Sequence, residues 1–209
     1  YFVLTNGRAR VISKAEILGR LSFCGYKVSA ERMINNTLYF IAQKISTIST
    51  ENEPSYGPIV GLKRVGFGGN IITVYKLRTM HPYSEFIQGE IFKSNNLDST
   101  GKIKEDFRVT NWGNLLRRLW IDELPQLFNW IRGDINLVGV RALSEHYFSL
   151  YPKDLQEFRI KFKPGMIPPY YADMPKNFDE IIKSERIYLQ QKLKKKYLTD
   201  IIYFLKAIK

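Results

Sequence analysis

Asp122-Glu123-Leu124-Pro125-Gln126-Leu127-Phe128-Asn129, continued by Gly133-Asp134 and Leu137-Val138-Gly139-Val140-Arg141, is the stretch that decides how this chain is read. Leu124, Leu127, Phe128 and Ile131 recur at helical spacing, Gly133 supplies a stop, and Pro125 falls where a first turn tolerates a missing N–H. The pattern predicts a helix that opens at Asp122, with Asp122 as its N-cap. Two adjacent carboxylates there meet the positive end of the helix dipole and several free N–H groups, which favour their ionised forms. The same position attracts phosphate. Carboxylates and phosphate share it only if cations intervene. On spacing alone, plain helix capping is the better account of the pair.

Cations are at hand in the flanking sequence. Upstream, Leu62–Val65 and Ile71–Leu77 are strand-like around Gly66-Phe67-Gly68-Gly69-Asn70. A glycine-rich phosphate loop would have to open a helix, but β-branched residues follow, so a β-hairpin is predicted. Lys76 and Arg78, two apart, are expected on one strand face. Trp112, Leu115, Leu116 and Leu119 predict a helix capped by Thr110 or Asn111, carrying Arg117 and Arg118 into the dyad. Downstream, Arg141 follows Gly139, and Asp134 reads equally as a site residue or a structural cap. A helix is expected from near Pro152 to Phe162. Pro164-Gly165 breaks it, and Pro168, Pro169 and Pro175 predict an irregular stretch. The tail from Phe178 reads as helical and amphipathic, with Lys183, Arg186, Lys192, Lys194, Lys195 and Lys196 on its polar side.

Residues 1–50 read as a small accessory α/β segment. A helix begins at Ser13 with Glu16 three residues on, Gly25 ends it, and strands at Tyr26–Val28 and Leu38–Ala42 are joined by a polar loop. Residues 51–58 read as a linker, and 59–209 as the catalytic domain. Glu85–Phe107 reads as a polar surface excursion. The fold class is α+β: a mostly helical catalytic domain with a small β-hairpin or sheet, preceded by the small α/β segment.

The 209 residues are 44% hydrophobic and 14% aromatic, which excludes a mainly disordered chain. Thirty-two Lys+Arg against 20 Asp+Glu give a net charge of +12, which favours polyanionic partners. One cysteine, Cys24, excludes an internal disulfide or a thiolate cluster, and two histidines, His81 and His146, argue against a histidine zinc site. No window of about 20 apolar residues is present, and the chain starts at Tyr1 without a Met.

Three ordered blocks resemble the bacterial sugar transferase family, the monotopic polyprenyl-phosphate phosphoglycosyl transferases that begin cell-surface glycan assembly. Val74-Tyr75-Lys76-Leu77-Arg78-Thr79-Met80 is similar to the family's Tyr-Lys-x-Arg-(Thr/Ser)-Met motif. Asp122–Gln126 with Asn129, Gly133 and Asp134 resembles its longest signature. Leu137–Arg141 resembles Leu-Val-Gly-Pro-Arg-Pro, and Lys163-Pro164-Gly165 the later Pro-Gly. The resemblance covers residues 60–165, about half the chain, with residues 1–50 outside it. Val140 and Ala142 stand where the family has prolines, which removes two backbone restraints around Arg141. The family also carries a hydrophobic N-terminal helix, so the resemblance implies either an anchor upstream of Tyr1 or peripheral docking through the basic tail.

The resemblance implies that Asp122 attacks the β-phosphorus of a UDP-sugar, expels UMP and forms a covalent aspartyl phosphosugar. Glu123 would assist proton transfer from the polyprenyl phosphate acceptor. Mg²⁺, held through Asp122, would offset the diphosphate charge. Lys76, Arg78, Arg118, Gln126, Asp134 and Arg141 are the expected substrate-binding residues. The implied setting is the cytoplasmic face of the bacterial inner membrane. Two other readings are a non-catalytic relative that binds a nucleotide sugar or partner, and a nucleic-acid-binding protein. The dispersed basic residues disfavour the latter, and no nucleic-acid partner is expected.

Overall fold

The computed structural model describes residues 12–47, 54–89, 91 and 106–208. Most of the expected Glu85–Phe107 excursion and part of the 51–58 linker lie outside these residues. The described residues divide into two units, one holding those up to Pro58, Arg78 to 91 and 106 to Leu116, the other Ile59–Leu77 and Arg117 to 208.

In the first unit, α1 (Lys14–Phe23) starts where Ser13 Oγ accepts from the Glu16 amide at 3.1 Å and ends before Gly25 at φ 81°. Gly19 lets the helix rest on the chain at Tyr83, since a Cβ there would lie 2.2 Å from the Tyr83 carbonyl oxygen. Phe23 packs edge-on against Tyr83 and beside Phe86, and the Arg20 guanidinium lies 4.5 Å from the Tyr83 ring. β1 (Tyr26–Ile34) and β2 (Thr37–Lys44) form an antiparallel ribbon. The expected polar loop is strand down to a two-residue turn, Asn35-Asn36, both at positive φ. The ribbon is mostly exposed, so its pairing carries no burial pattern for sequence to reveal. α2 (Asn111–Arg118) opens with Thr110 Oγ1 accepting from the Gly113 amide at 2.8 Å and runs from this unit into the next.

The second unit opens with the predicted hairpin, β3 (Ile59–Val65) and β4 (Ile71–Leu77), joined by a 3₁₀ turn at Phe67–Gly69. The Val65 amide donates to the Leu143 carbonyl at 2.8 Å, which ties the hairpin to the segment after Arg141. α3 (Gln126–Ile131) is inverted relative to an ordinary surface helix. Gln126 and Asn129 are buried, while Leu124, Leu127, Phe128 and Ile131, which set the predicted helical spacing, are exposed.

The stretch after Pro164, expected to be irregular, contains β6 (Gly165–Ile167), which pairs in parallel with β5 (Asn136–Val138). Glycine makes the pairing possible: a Cβ on Gly165 would lie 2.0 Å from the Gly139 nitrogen. Gly165→Ala is therefore expected to cost about 1–3 kcal/mol, the usual range for overpacking, read as a lower urea midpoint.

α4 (Glu145–Ser149) lies outside the predicted elements, α5 (Lys153–Arg159), capped at Pro152, is the predicted helix but shorter than expected, and α6 (Tyr170–Asp173) follows Pro168-Pro169. The tail is two helices, α7 (Phe178–Lys194) and α8 (Lys196–Ile208), broken at Lys195. Lys192, expected in water, is 2% exposed. Its Nζ lies 2.9 Å from Asp200 and 2.9 Å from the Tyr188 hydroxyl, and it donates to the Val138 carbonyl at 3.3 Å. Val138, Val140, Leu143, Tyr151, Leu155, Tyr188, Leu189 and Tyr203 make the core that this bracket pins to β5. No helix among the described residues is long and apolar enough to cross a membrane.

Candidate active site

Asp122 and Glu123 stand on a separate 3₁₀ turn, Ile121–Glu123, ahead of α3, whose N-cap is Pro125. The predicted N-cap role of Asp122 is thus corrected. Trp120, at φ 58°, reverses the chain after α2, and Pro125 cannot donate, so the helix proper starts one turn later than the apolar spacing implies. Trp120 is fixed in this left-handed conformation by stacking on Tyr171 with ring centroids 4.4 Å apart.

The two carboxylates are placed differently. Glu123 is fully engaged: Oε1 takes the Lys76 ammonium at 2.5 Å and Oε2 accepts from Gln126 Nε2 at 3.0 Å. Asp122 meets Lys76 only at 3.9 Å, and its residue is 7% exposed. β4 delivers Lys76, and Asn129 locks β4 to α3. The Asn129 side chain accepts from the Tyr75 amide at 2.9 Å and donates to the Thr73 carbonyl at 2.7 Å and to Asp134 at 2.9 Å. Asp134, predicted as site or cap, thus holds this bracket, with Arg132 Nε 3.4 Å away. Burial lowers the Lys76 pKa, with Arg141 acting in the same sense, while Glu123 and Asp122 pull it back up.

Arg141 lies close enough to feel Glu123. Burial opposes its charge, but Tyr170, Glu123 and Tyr171 outweigh this and its pKa is raised. Its Nη1 donates to the Tyr170 hydroxyl at 2.6 Å, its backbone bridges to Gly165, and Arg159 Nη2 donates to its carbonyl at 2.6 Å. These three ties hold Arg141 where the family prolines are missing.

Lys76, Asp122, Glu123, Gln126 and Arg141 are therefore brought together. Arg118 lies exposed on the last turn of α2. Arg78 belongs to the first unit, where its side chain donates to the Gly57 carbonyl at 2.8 Å and to Ser55 at 2.6 Å. Sequence reasoning missed Tyr170 and Tyr171, although an aromatic pair directly after Pro168-Pro169 was the available signal. Tyr170→Phe removes a hydrogen bond to a charged group, worth about 1.5–3 kcal/mol. Catalytic efficiency is expected to fall about 10-fold or more, with the thermal midpoint lowered by several degrees, by steady-state kinetics on protein shown by melting to be folded at the assay temperature.

No cluster of three His, Cys, Asp or Glu able to hold a metal occurs among the described residues. Asp122 nevertheless fits Mg²⁺, which needs one or two carboxylates completed by substrate phosphate oxygens. Its carboxylate is the member of the pair not taken by Lys76 and Gln126 at hydrogen-bond distance.

The profile of the family described as bacterial sugar transferase matches residues 31–209, enclosing all the motif blocks and the whole of this site. The chain belongs to the bacterial sugar transferase family. This sugar transferase is 35% identical over 142 residues to the galactosyl transferase CpsE of Streptococcus agalactiae, covering 65% of this chain and 31% of that protein. It is 35% identical over 116 residues to the undecaprenyl-phosphate galactose phosphotransferase of Salmonella typhimurium, covering 53% and 24%. It is 35% identical over 114 residues to the UDP-galactose-lipid carrier transferase of Erwinia amylovora, covering 52% and 24%. The chain thus spans between about a quarter and a third of the length of these three relatives.

Proposed function

We propose that this sugar transferase moves a sugar-1-phosphate from a UDP-sugar to a polyprenyl phosphate, through a covalent intermediate on Asp122, in surface polysaccharide or glycoconjugate synthesis. The unequal engagement of two adjacent carboxylates carries the reading: Glu123 is taken by Lys76 and Gln126, whereas Asp122 is left for chemistry. The names of the Salmonella and Erwinia relatives, with a galactosyl phosphate or UDP-galactose donor and a lipid carrier acceptor, support the substrate classes.

In the first half-reaction an Asp122 oxygen forms a bond to the β-phosphorus, the bond from that phosphorus to the bridging oxygen breaks, and UMP departs with the electron pair. In the second, an acceptor phosphate oxygen bonds to the same phosphorus, and the acyl phosphate bond breaks to restore Asp122. Any proton on the acceptor phosphate passes to Glu123. Lys76 and Arg141 hold phosphate oxygens and offset the crowding of negative charge, and Tyr170 keeps Arg141 aimed. Asp122 would hold Mg²⁺, which would supply charge neutralisation on the diphosphate.

Exposed Leu119, Trp120, Leu124, Leu127, Phe128, Trp130 and Ile131 surround the dyad in sequence with an apolar skin. That skin supports a membrane surface as the place where a lipid acceptor is met. We place the reaction at the cytoplasmic face of the bacterial inner membrane, where nucleotide sugars are available. The test is the nucleotide released when the protein is incubated with UDP-galactose or UDP-glucose, polyprenyl phosphate and Mg²⁺. UMP is expected, and UDP would show ordinary glycosyl transfer instead.

A further inference from the structure

The hairpin carries a second cation on the face that delivers Lys76. In the β3–β4 register Val60 pairs with Lys76, Leu62 with Val74 and Arg64 with Ile72, so Arg64 and Lys76 share one face. Four residues of strand separate their rows, about 13 Å at 3.3 Å per residue. The Arg141 charge acts on both, lowering the pKa of each after the larger effect of burial. The connection is physical: the residue after Arg64 donates its amide to Leu143, two residues beyond Arg141. A shallow groove beside Arg141 is lined by Val65, Gly66, Val140 and Arg159.

The Arg64 side chain has little to compensate its charge. Nη1 donates to the carbonyl of its neighbour Lys63 at 2.7 Å, and no carboxylate among the described residues pairs with it in the way Glu123 pairs with Lys76. A half-buried guanidinium beside another guanidinium is unfavourable unless an anion joins them. Two such groups present a ready fork for phosphate oxygens.

We infer that Arg64, from the far end of the hairpin face, extends the phosphate grip of Arg141 and Lys76 by a further phosphate subsite shared with Arg141. The inference deepens the proposed function: the phosphate is one of the substrates', either the nucleotide's α-phosphate or the lipid acceptor's. Lys76 and Arg141 then serve the reacting phosphate, and Arg64, reached from the other side of Arg141, serves the phosphate next to it.

Calorimetric titration with inorganic pyrophosphate tests the subsite without catalysis, on the wild-type protein and the Arg64→Ala, Arg64→Gln and Lys63→Ala variants. Both Arg64 variants are expected to bind about 10-fold or more weakly, as for loss of charge-assisted hydrogen bonds, and Lys63→Ala to remain near wild type. Arg64→Gln keeps the length and a donor, and its thermal midpoint checks that the fold is intact. Equal affinity in wild type and a folded Arg64 variant would overturn the inference, as would no measurable binding by the wild type. Steady-state kinetics then assigns the source. A rise in KM for the UDP-sugar alone places the donor phosphate there, and a rise for polyprenyl phosphate alone places the acceptor. Unchanged KM for both overturns the subsite while leaving the proposed function intact. Release of UDP by the wild type overturns the proposed function while the titration still decides the subsite.

Discussion

Asp122→Asn is expected to lower sugar-phosphate transfer by about 10⁴-fold or more, the scale seen when a covalent nucleophile is removed, with little change in stability. The amide is isosteric, and among the described residues the nearest charged partner of the native carboxylate is Lys76 at 3.9 Å, beyond hydrogen-bond distance. Glu123→Gln should behave differently. It strips the partner from Lys76 and removes a proton acceptor, so a loss of about 10²–10⁴-fold is expected, the range of general acid–base catalysis. Initial rates of UMP release measure both, and circular dichroism with a melting curve shows that each variant is folded. Comparable rates for Asp122→Asn and wild type would remove Asp122 from the chemistry.

Glu185→Leu should be strongly destabilising. Arg159 and Glu185 form a buried ion pair, with side chains 4% and 1% exposed, and the Arg159 guanidinium lies 4.8 Å from the Tyr151 ring. Removing one partner strands the other charge, at a cost of about 3–5 kcal/mol. The double variant Arg159→Met with Glu185→Leu should recover much of that, because two well-packed apolar side chains can replace such a pair. Activity should not recover with it. Arg159 also donates to the Arg141 carbonyl, and methionine cannot. Urea unfolding of the two single variants and the double variant, set beside their transfer rates, separates the two roles.

Much of the site was legible because its elements are set by local chemistry. β-Branched residues after Gly66–Asn70 declared a hairpin, and that hairpin delivers Lys76 to Glu123. The ordered blocks announced the dyad and Arg141. What sequence could not show was the direction of burial. Leu124, Leu127, Phe128 and Ile131 have the spacing of a core-facing helix yet lie exposed, while Gln126 and Asn129 go inside because their polar groups are spent on Glu123, β4 and Asp134. The reversal at Trp120 and the missing Pro125 donor, also hidden from the spacing, moved the helix start past Pro125 and detached Asp122 from the predicted cap.

Long-range pairing was equally hidden. The short parallel strands β5 and β6 join residues 29 positions apart by register, Asn136 to Gly165, and depend on two glycines in contact rather than on strand propensity. Lys192 looked like a solvated tail residue because Asp200 meets it only once α7 and α8 fold back on each other, although Tyr188 stands one turn before it on α7. Arg159 and Tyr170, which fix Arg141 from its carbonyl and its guanidinium, lie 18 and 29 residues away from it. No spacing rule connects them.

The most direct test of the account is to incubate the protein with a UDP-sugar labelled in the β-phosphate, without lipid acceptor, and to locate the label by peptide mass spectrometry. The expected result is a sugar-phosphate adduct on the peptide containing Asp122, with one UMP released per adduct, discharged when polyprenyl phosphate is added. An adduct on another residue, or transfer that proceeds at full rate with no labelled protein forming at any time, would contradict it.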